Sequence, residues 1–418
     1  MLLTVCGQVV SAVLPADSVP PAIGFEVSVN PGKVLSMDSY EKQWLKTSGT
    51  CSAEASVVYR PAVDGYARDY NLPSFTVGMR ISWNHATTMH RSESPDWGLL
   101  EPVDYDSQLG NVVTAFAAFN RPLLRSRRWL AEYQLGMGVG YSHSKYNTLD
   151  AIDNELIGAR WNIYFKAGLS MTYKVSDELG VKGGVDFSHH SNGAMNRPNK
   201  GTNTLGPVLG LVFFPQGDVL GNRRKASSST SCNYGEQGDD SDWRRGLYGE
   251  LVLGVGGKTL AEDWQLTQFG TAPGQPDYRT DRFHFYMAYS MQADVMYRYA
   301  RRWASGAGVD VFYGTYSDHV AAMDAAAGVQ ERHSPWSVAL AAKHEVFYGR
   351  LSVRMGVGVY LYRKMGSVAR ELEQPYYERI GVHYAFPRLG GLSVGLNVNA
   401  HRTKADFTEL QLTVPIRF

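Results

Sequence analysis

Between Trp129 and Tyr141 the chain changes character at every residue. Trp129, Ala131, Tyr133, Leu135, Met137, Val139 and Tyr141 share one side of an extended segment, while Glu132, Gln134, Gly136, Gly138 and Gly140 fall on the other. A period of two marks a strand whose two faces meet different surroundings. Leu351 to Tyr362 repeats the pattern. In the last segment Leu410, Leu412, Val414, Ile416 and Phe418 alternate with Glu409, Gln411, Thr413 and Arg417. About sixteen such strands are predicted, near 23–35, 53–60, 74–86, 108–119, 129–142, 158–173, 178–191, 203–214, 246–260, 282–298, 304–316, 335–347, 349–362, 375–386, 391–401 and 407–418. A soluble sandwich alternates too. Three features point instead to a transmembrane barrel. Many strands reach roughly 10–13 residues, enough to cross a bilayer when tilted. Aromatics gather near strand ends, as in an interfacial girdle. The sequence ends on an aromatic residue, Phe418, at the tip of an amphipathic strand.

The run of strands breaks at 215–243, a polar stretch containing Arg223-Arg224-Lys225 and Asp239-Asp240 that reads as a linker. Its two flanks echo each other. Pro31-Gly32-Lys33-Val34-Leu35 resembles Gly256-Gly257-Lys258-Thr259-Leu260, Met137-Gly138-Val139-Gly140 returns as Met355-Gly356-Val357-Gly358, and His189 and His401 close corresponding strands. This predicts two repeats of eight strands, residues 17–214 and 244–418. They could close as one barrel of sixteen or two of eight, and one large barrel is favoured. Met1 to Leu14 reads as the apolar region of a secretory signal, with cleavage after Ala12 or Ala16.

Composition narrows the class. Of 418 residues 19% are charged and 12% aromatic, with 43 glycines and a net charge of +1. So apolar and aromatic a chain is not disordered. The charge offers no electrostatic case for nucleic acid. No run approaches the roughly 18 apolar residues of a spanning helix. If the odd-numbered strands run outward, Cys51 and Cys232 lie on opposite sides of the membrane, so no disulfide is expected.

One segment departs from the pattern. After Leu179, Val181, Val185 and Phe187, parity places His189 and Ser191 on the same apolar, lipid-meeting face, while Lys182, Asp186, Ser188 and His190 share the other. An ionisable group facing lipid is a functional-site hypothesis by default. On the next strand Asn203 shares the parity of Leu205, Leu209, Leu211 and Phe213. A serine needs a base to become a nucleophile, and the base needs a partner to fix its tautomer. His189, Ser191 and Asn203 can converge to meet those needs. A metal site from Asp186, His189 and His190 is not expected, because adjacent strand residues face opposite ways. His401 falls on the polar face of its own strand and is read as an echo without catalysis.

The segment His189-x-Ser191-Asn192-Gly193-Ala194, followed by Pro198-Asn199-x-Gly201-x-Asn203, resembles the PagL-type lipid A 3-O-deacylases and the related acyloxyacyl hydrolases. Tyr70-Asn71-Leu72-Pro73 and the strand around Asn162 look familial but less specific. The resemblance covers about 23–214 and implies an outer-membrane hydrolase of ester-linked acyl chains of lipid A, without a cofactor. It implies His189 as general base, Ser191 as nucleophile, and Asn199 with nearby backbone N–H groups, Asn192 included, as oxyanion support. The family's best-known members carry Glu where this chain has Asn203. The alternative is a non-catalytic porin-like or structural barrel with a decayed site; a sixteen-stranded closure would leave the wide lumen this needs.

Overall fold

The computed structural model describes residues 20–91, 103–222, 243–367, 373–402 and 404–417. The signal-like segment, Cys232, most of the linker and Phe418 lie outside the described residues. The first half contains β1 (Ala22–Leu35), β2 (Leu45–Arg60), β3 (Ser74–Trp83), the short β4 (Thr87–Met89) and β5 (Ser107–Gln108), β6 (Val112–Arg125), β7 (Trp129–Ser142), β8 (Trp161–Lys174), β9 (Leu179–Ser191) and β10 (Thr202–Phe213). The second contains β11 (Gly246–Lys258), β12 (Tyr286–Ala300), β13 (Trp303–Gly314), β14 (His333–Tyr348), β15 (Leu351–Met365), β16 (Tyr376–Phe386), β17 (Leu392–His401) and β18 (Lys404–Arg417). No helix among the described residues is long and apolar enough to cross a membrane.

Each half closes on itself. In β1, Phe25 sits opposite Val57 of β2 and Phe213 of β10. In β11, Leu251 sits opposite Ala293 of β12 and Val414 of β18. All pairings are antiparallel, and the result is two eight-stranded barrels rather than the single sixteen-stranded one expected. Backbone polar groups have no water partners in lipid, so every strand edge must be paired, and here β10 returns to β1 and β18 to β11. Once β1 has used both edges within its own half, nothing remains for β11 to join. Alternation is indifferent to this choice, because the same inward and outward faces serve either closure.

Side chains follow the expected parity. Val77, Leu135, Leu169, Val185, Leu209, Leu253, Val295 and Leu412 face outward and exposed. The lumens hold charge. In the first barrel Arg80 donates to Glu54 (2.6 Å) and Asp186 (2.7 Å), and Lys166 reaches Glu54 (2.6 Å). In the second, Arg354 bridges Glu345 (3.0 Å) and Glu250 (2.8 Å), Lys343 reaches Asp310 (2.7 Å), and Arg379 joins Asp310 (3.1 Å) to Glu409 (3.3 Å). Such pairs satisfy one another's charge where water is scarce. Paired rings mark the two ends, with Tyr141–Trp161 at 5.1 Å at the end where β9 finishes, the upper end, and Trp129–Tyr173 at 4.7 Å at the lower end.

The repeat motifs occupy equivalent places: Met137 and Met355 lie in the fifth strand of their barrels, and His189 and His401 lie at or near the end of the seventh. The barrels touch at their ends, through loops and the adjoining strand residues. At the lower end the Tyr70 hydroxyl donates to the Phe347 carbonyl (2.8 Å), and Tyr348 packs on Phe75 at 4.9 Å. At the upper end Tyr146 packs on Trp264 at 4.8 Å, and Arg91 binds both Asp153 (2.8 Å) and Gln268 (3.1 Å).

Candidate functional site

The site forms where β9 gives way to β10. Across the sheet His189 sits opposite Phe165 of β8 and Asn203 of β10, and Ser191 sits opposite Ile163. All five share the outward face. His189 Nδ1 lies 2.8 Å from Asn203 Oδ1, and His189 Nε2 lies 2.9 Å from Ser191 Oγ. The imidazole thus spans the hydroxyl and the amide. With Nδ1–H donating to Asn203 Oδ1, Nε2 is left as the acceptor for the Ser191 hydroxyl, the tautomer a general base requires. The Phe165 ring lies roughly parallel to the imidazole, 6.4 Å away. Although they face outward, Ser191 and Ile163 are only 7% and 9% exposed. The turn that follows covers them, Gly193 lying against Ile163 and Gly201 against Ser191.

That turn is built from unusual backbone. Gly193 and Ala194 are both left-handed, at φ 61° and 68°. For an alanine this costs on the order of 1–2 kcal/mol, so its surroundings must hold it there. Asn192 braces the turn from within: its Nδ2 donates to the Asn196 carbonyl (3.0 Å) and its Oδ1 accepts from Asn196 N–H (3.3 Å). Asn199 Oδ1 accepts from Asn192 N–H (2.9 Å), which engages that backbone donor. The Asn199 Nδ2 donor makes no bond to another described residue. Gly201, at φ 75°, closes the turn, and a Cβ there would stand 2.7 Å from His189 Cε1.

The β7–β8 loop braces the turn from outside. Lys200 N–H donates to Glu155 O (3.2 Å), Gly201 N–H to Leu156 O (2.9 Å), and Asn196 Nδ2 to Gly158 O (2.6 Å). Leu156 and Ile157 anchor that loop in a buried cluster with Val34, Trp44, Met89 and Leu109, which stoppers the upper mouth of the first barrel. Burial pushes the Glu155 carboxyl above its usual range, against the opposing pull of Arg91 and the Tyr40 hydroxyl. Burial also raises Asp38, but the Lys200 ammonium 2.8 Å away and the Glu41 N–H outweigh it and hold Asp38 below its ordinary value.

Other sequence candidates lie elsewhere. His190 points into the lumen, where Nε2 meets Thr114 Oγ1 (3.0 Å) and its ring packs on Tyr164 at 4.7 Å. Asp186 is engaged by Arg80. Asn71 braces the lower end through Pro122 O (2.8 Å), and Asn162 holds the carbonyls of Ala159 and Arg160. His401 faces its own lumen, 3.5 Å from Asp406.

Sequence reasoning missed the second barrel's part. Thr408 Oγ1 donates to Gly193 O (2.9 Å), and Thr259 donates to Ala194 O through its N–H (2.9 Å) and its hydroxyl (3.2 Å). Arg197 Nε donates back to Thr259 O (3.1 Å). Only the repeat of the Gly-Gly-Lys motif at 256–258 hinted that Thr259 would sit at the top of a strand.

Two family models match the chain. The lipid A 3-O-deacylase (PagL) model matches residues 75–212, which carry the His189, Ser191 and Asn203 cluster. The model for the acyloxyacyl hydrolase C-terminal domain matches residues 249–418, the second barrel. The chain belongs to the PagL family. The two matches together reach into both barrels and make the protein a hydrolase-family member of outer-membrane barrel type. No curated protein matches it. Among solved structures, a Rh. blastica porin mutant shares 9% identity, covering 95% of this chain and 100% of its own, at a TM-score of 0.16. An outer membrane channel from Pseudomonas putida F1 shares 9%, covering 97% and 100%, at 0.20. A TodX monoaromatic hydrocarbon channel mutant shares 10%, covering 95% and 89%, at 0.18. Superposition at that level carries no argument about this PagL-family chain.

Proposed function

We propose that the protein is an outer-membrane lipid A deacylase that removes an ester-linked acyl chain, the 3-O chain, by a serine–histidine mechanism on its lipid-facing surface. The observation that carries this reading is the imidazole of His189 held between Asn203 and Ser191 on the outward face. In this reading the upper end is the outer-leaflet end, where lipid A lies, and the ester approaches the outward His189–Ser191 pair from the lipid side rather than through a lumen.

Ser191 Oγ attacks the ester carbonyl carbon as its proton passes to His189 Nε2. The carbonyl oxygen becomes an oxyanion, for which Asn199 Nδ2 is the side-chain donor. The tetrahedral species collapses, the carbon–oxygen bond to the sugar breaks, and His189 returns its proton to the departing hydroxyl. Water, deprotonated by His189, then attacks the acyl-serine; the acyl–Oγ bond breaks, His189 returns the proton to Ser191 Oγ, and the fatty acid leaves. Asn203 holds the imidazole but supplies no negative charge against the imidazolium, as a carboxylate would. The second barrel carries no catalytic role in this scheme. The ion pairs that fill both lumens argue against the channel alternative.

Mass spectrometry of lipid A from cells expressing the protein or its Ser191→Ala variant tests the reading. Loss of one hydroxyacyl mass with the parent alone supports it. Unchanged lipid A in both, with the barrels folded in the membrane, overturns it.

A further inference from the structure

The turn after Ser191 is fastened to the second barrel by the hydroxyl of Thr408, the N–H and hydroxyl of Thr259, and the return bond from Arg197. Thr408 stands on the outward face of β18 beside exposed Leu410, yet is itself only 6% exposed because Gly193 covers it. The packing is close, since a Cβ on Gly193 would come within 2.1 Å of Thr408 Oγ1. These contacts fall on the two left-handed residues, one of which is not glycine.

The peptide joining Gly193 to Ala194 is held at its carbonyl by Thr408. In a trans peptide the N–H points opposite to the C=O. The Ala194 N–H is therefore turned away from Thr408, on the opposite side of the peptide from the second barrel's hydroxyl. A backbone donor beside a nucleophile contributes to catalysis only when its aim is fixed before the charge develops.

We propose that Thr408 and Thr259 are positioning residues for the deacylase. They hold the Gly193–Ala194 turn so that the Ala194 N–H joins Asn199 in receiving the oxyanion. This rests on the reading of Ser191 as the nucleophile. It gives the second barrel a task in the reaction, although no side chain of that barrel touches the reacting atoms. Arg197, whose guanidinium lies in the field of Glu262, Asp263 and Asp406, ties the far side of the same turn to the same barrel.

The test uses the full-length protein in vesicles containing lipid A. Thr408→Val keeps the shape and removes the donor, and Thr408→Ser keeps the donor. The valine variant is expected to lose about tenfold in kcat with KM unchanged, as misplacement of one donor implies. The serine variant is expected to match the parent. Amide exchange of residues 193–195, followed by mass spectrometry, should quicken in the valine variant alone. Equal kcat in all three, or an equal loss in both variants, overturns the proposal while leaving the deacylase reading intact. A folded parent that releases no acyl chain sinks that reading, and the proposal with it.

Discussion

The seventh strand of each barrel carries a histidine at or near its upper end, and the two histidines have opposite fates. His189 faces outward, between an amide and a serine hydroxyl. His401 faces inward, where Nδ1 meets the Tyr376 carbonyl (3.1 Å), Nε2 approaches Asp406, and the ring lies along Tyr360 at 5.8 Å. Its surroundings are a closed ion-pair network: Asp406 pairs with Lys258, and Glu373 with Arg363. Glu373, His401 and Asp406 lie close enough together to suggest a metal site, but Lys258 and Arg363 already supply the positive charge. The difference comes from one position of parity. In β9 the outward residues are Val181, Val185, Phe187 and His189; in β17 they are Leu392, Val394, Leu396 and Val398, which leaves His401 inward. A shift of one residue separates a group placed to meet lipid from a group that fills a lumen.

Substitutions can break this comparison. The largest effect is expected at Ser191. Ser191→Ala should lower kcat by roughly a thousandfold or more, because loss of a nucleophile leaves only binding and oxyanion contacts; release of fatty acid from lipid A measures it. Asn203 comes next. Asn203→Ala should cost on the order of tenfold to a hundredfold in kcat, and Asn203→Glu should raise kcat about tenfold above the parent, since a carboxylate only accepts from Nδ1–H and stabilises the imidazolium. An amide can present either its oxygen or its NH2 to His189, and the second presentation forbids the base-competent tautomer.

His401→Gln should leave kcat within about twofold, yet lower thermal stability, by about 1–3 kcal/mol if a buried partner of Asp406 is lost; heat-dependent loss of folded barrel on gels checks it. The smallest effect belongs to Asp38. Its folded pKa is held below the ordinary 3.8, chiefly by Lys200 against the opposing effect of burial. Its contribution is therefore complete above the unfolded value and is lost as pH falls through the folded one. The window lies in strongly acidic solution. Asp38→Asn should leave activity near neutral pH within about twofold, and amide exchange at Lys200 should quicken on acidification in the parent but not in the variant.

Much of this was legible in the sequence because a strand's faces are set by counting. Parity alone placed His189, Ser191 and Asn203 outward and His190 inward, whereas the pairing of His189 with Asn203 depends on the register that the long 192–201 connection sets. Closure was not legible, since β1 presents the same faces whether its second edge meets β10 or β18. The start of β2 at Leu45 rather than near 53 was hidden by Thr47, Ser48 and Thr50, which extend the strand above the apolar band. Asn199 was expected at the oxyanion, yet half of its amide is committed to Asn192 N–H, a bond set by the fold of the turn. The threonine contacts were out of reach for a plainer reason. Thr408 and Gly193 are 215 residues apart, and nothing in either strand's alternation says which outward faces meet.

The central claim is that the outward serine, and no group of the second barrel, forms the covalent intermediate. Peptide mapping of the protein after reaction with a serine-directed phosphonate ester tests this most directly. The expected result is a single adduct on Ser191, abolished by Ser191→Ala and slowed in Asn203→Ala. An unmodified Ser191 in protein that still deacylates lipid A, or an adduct mapped to the second barrel, would contradict the account.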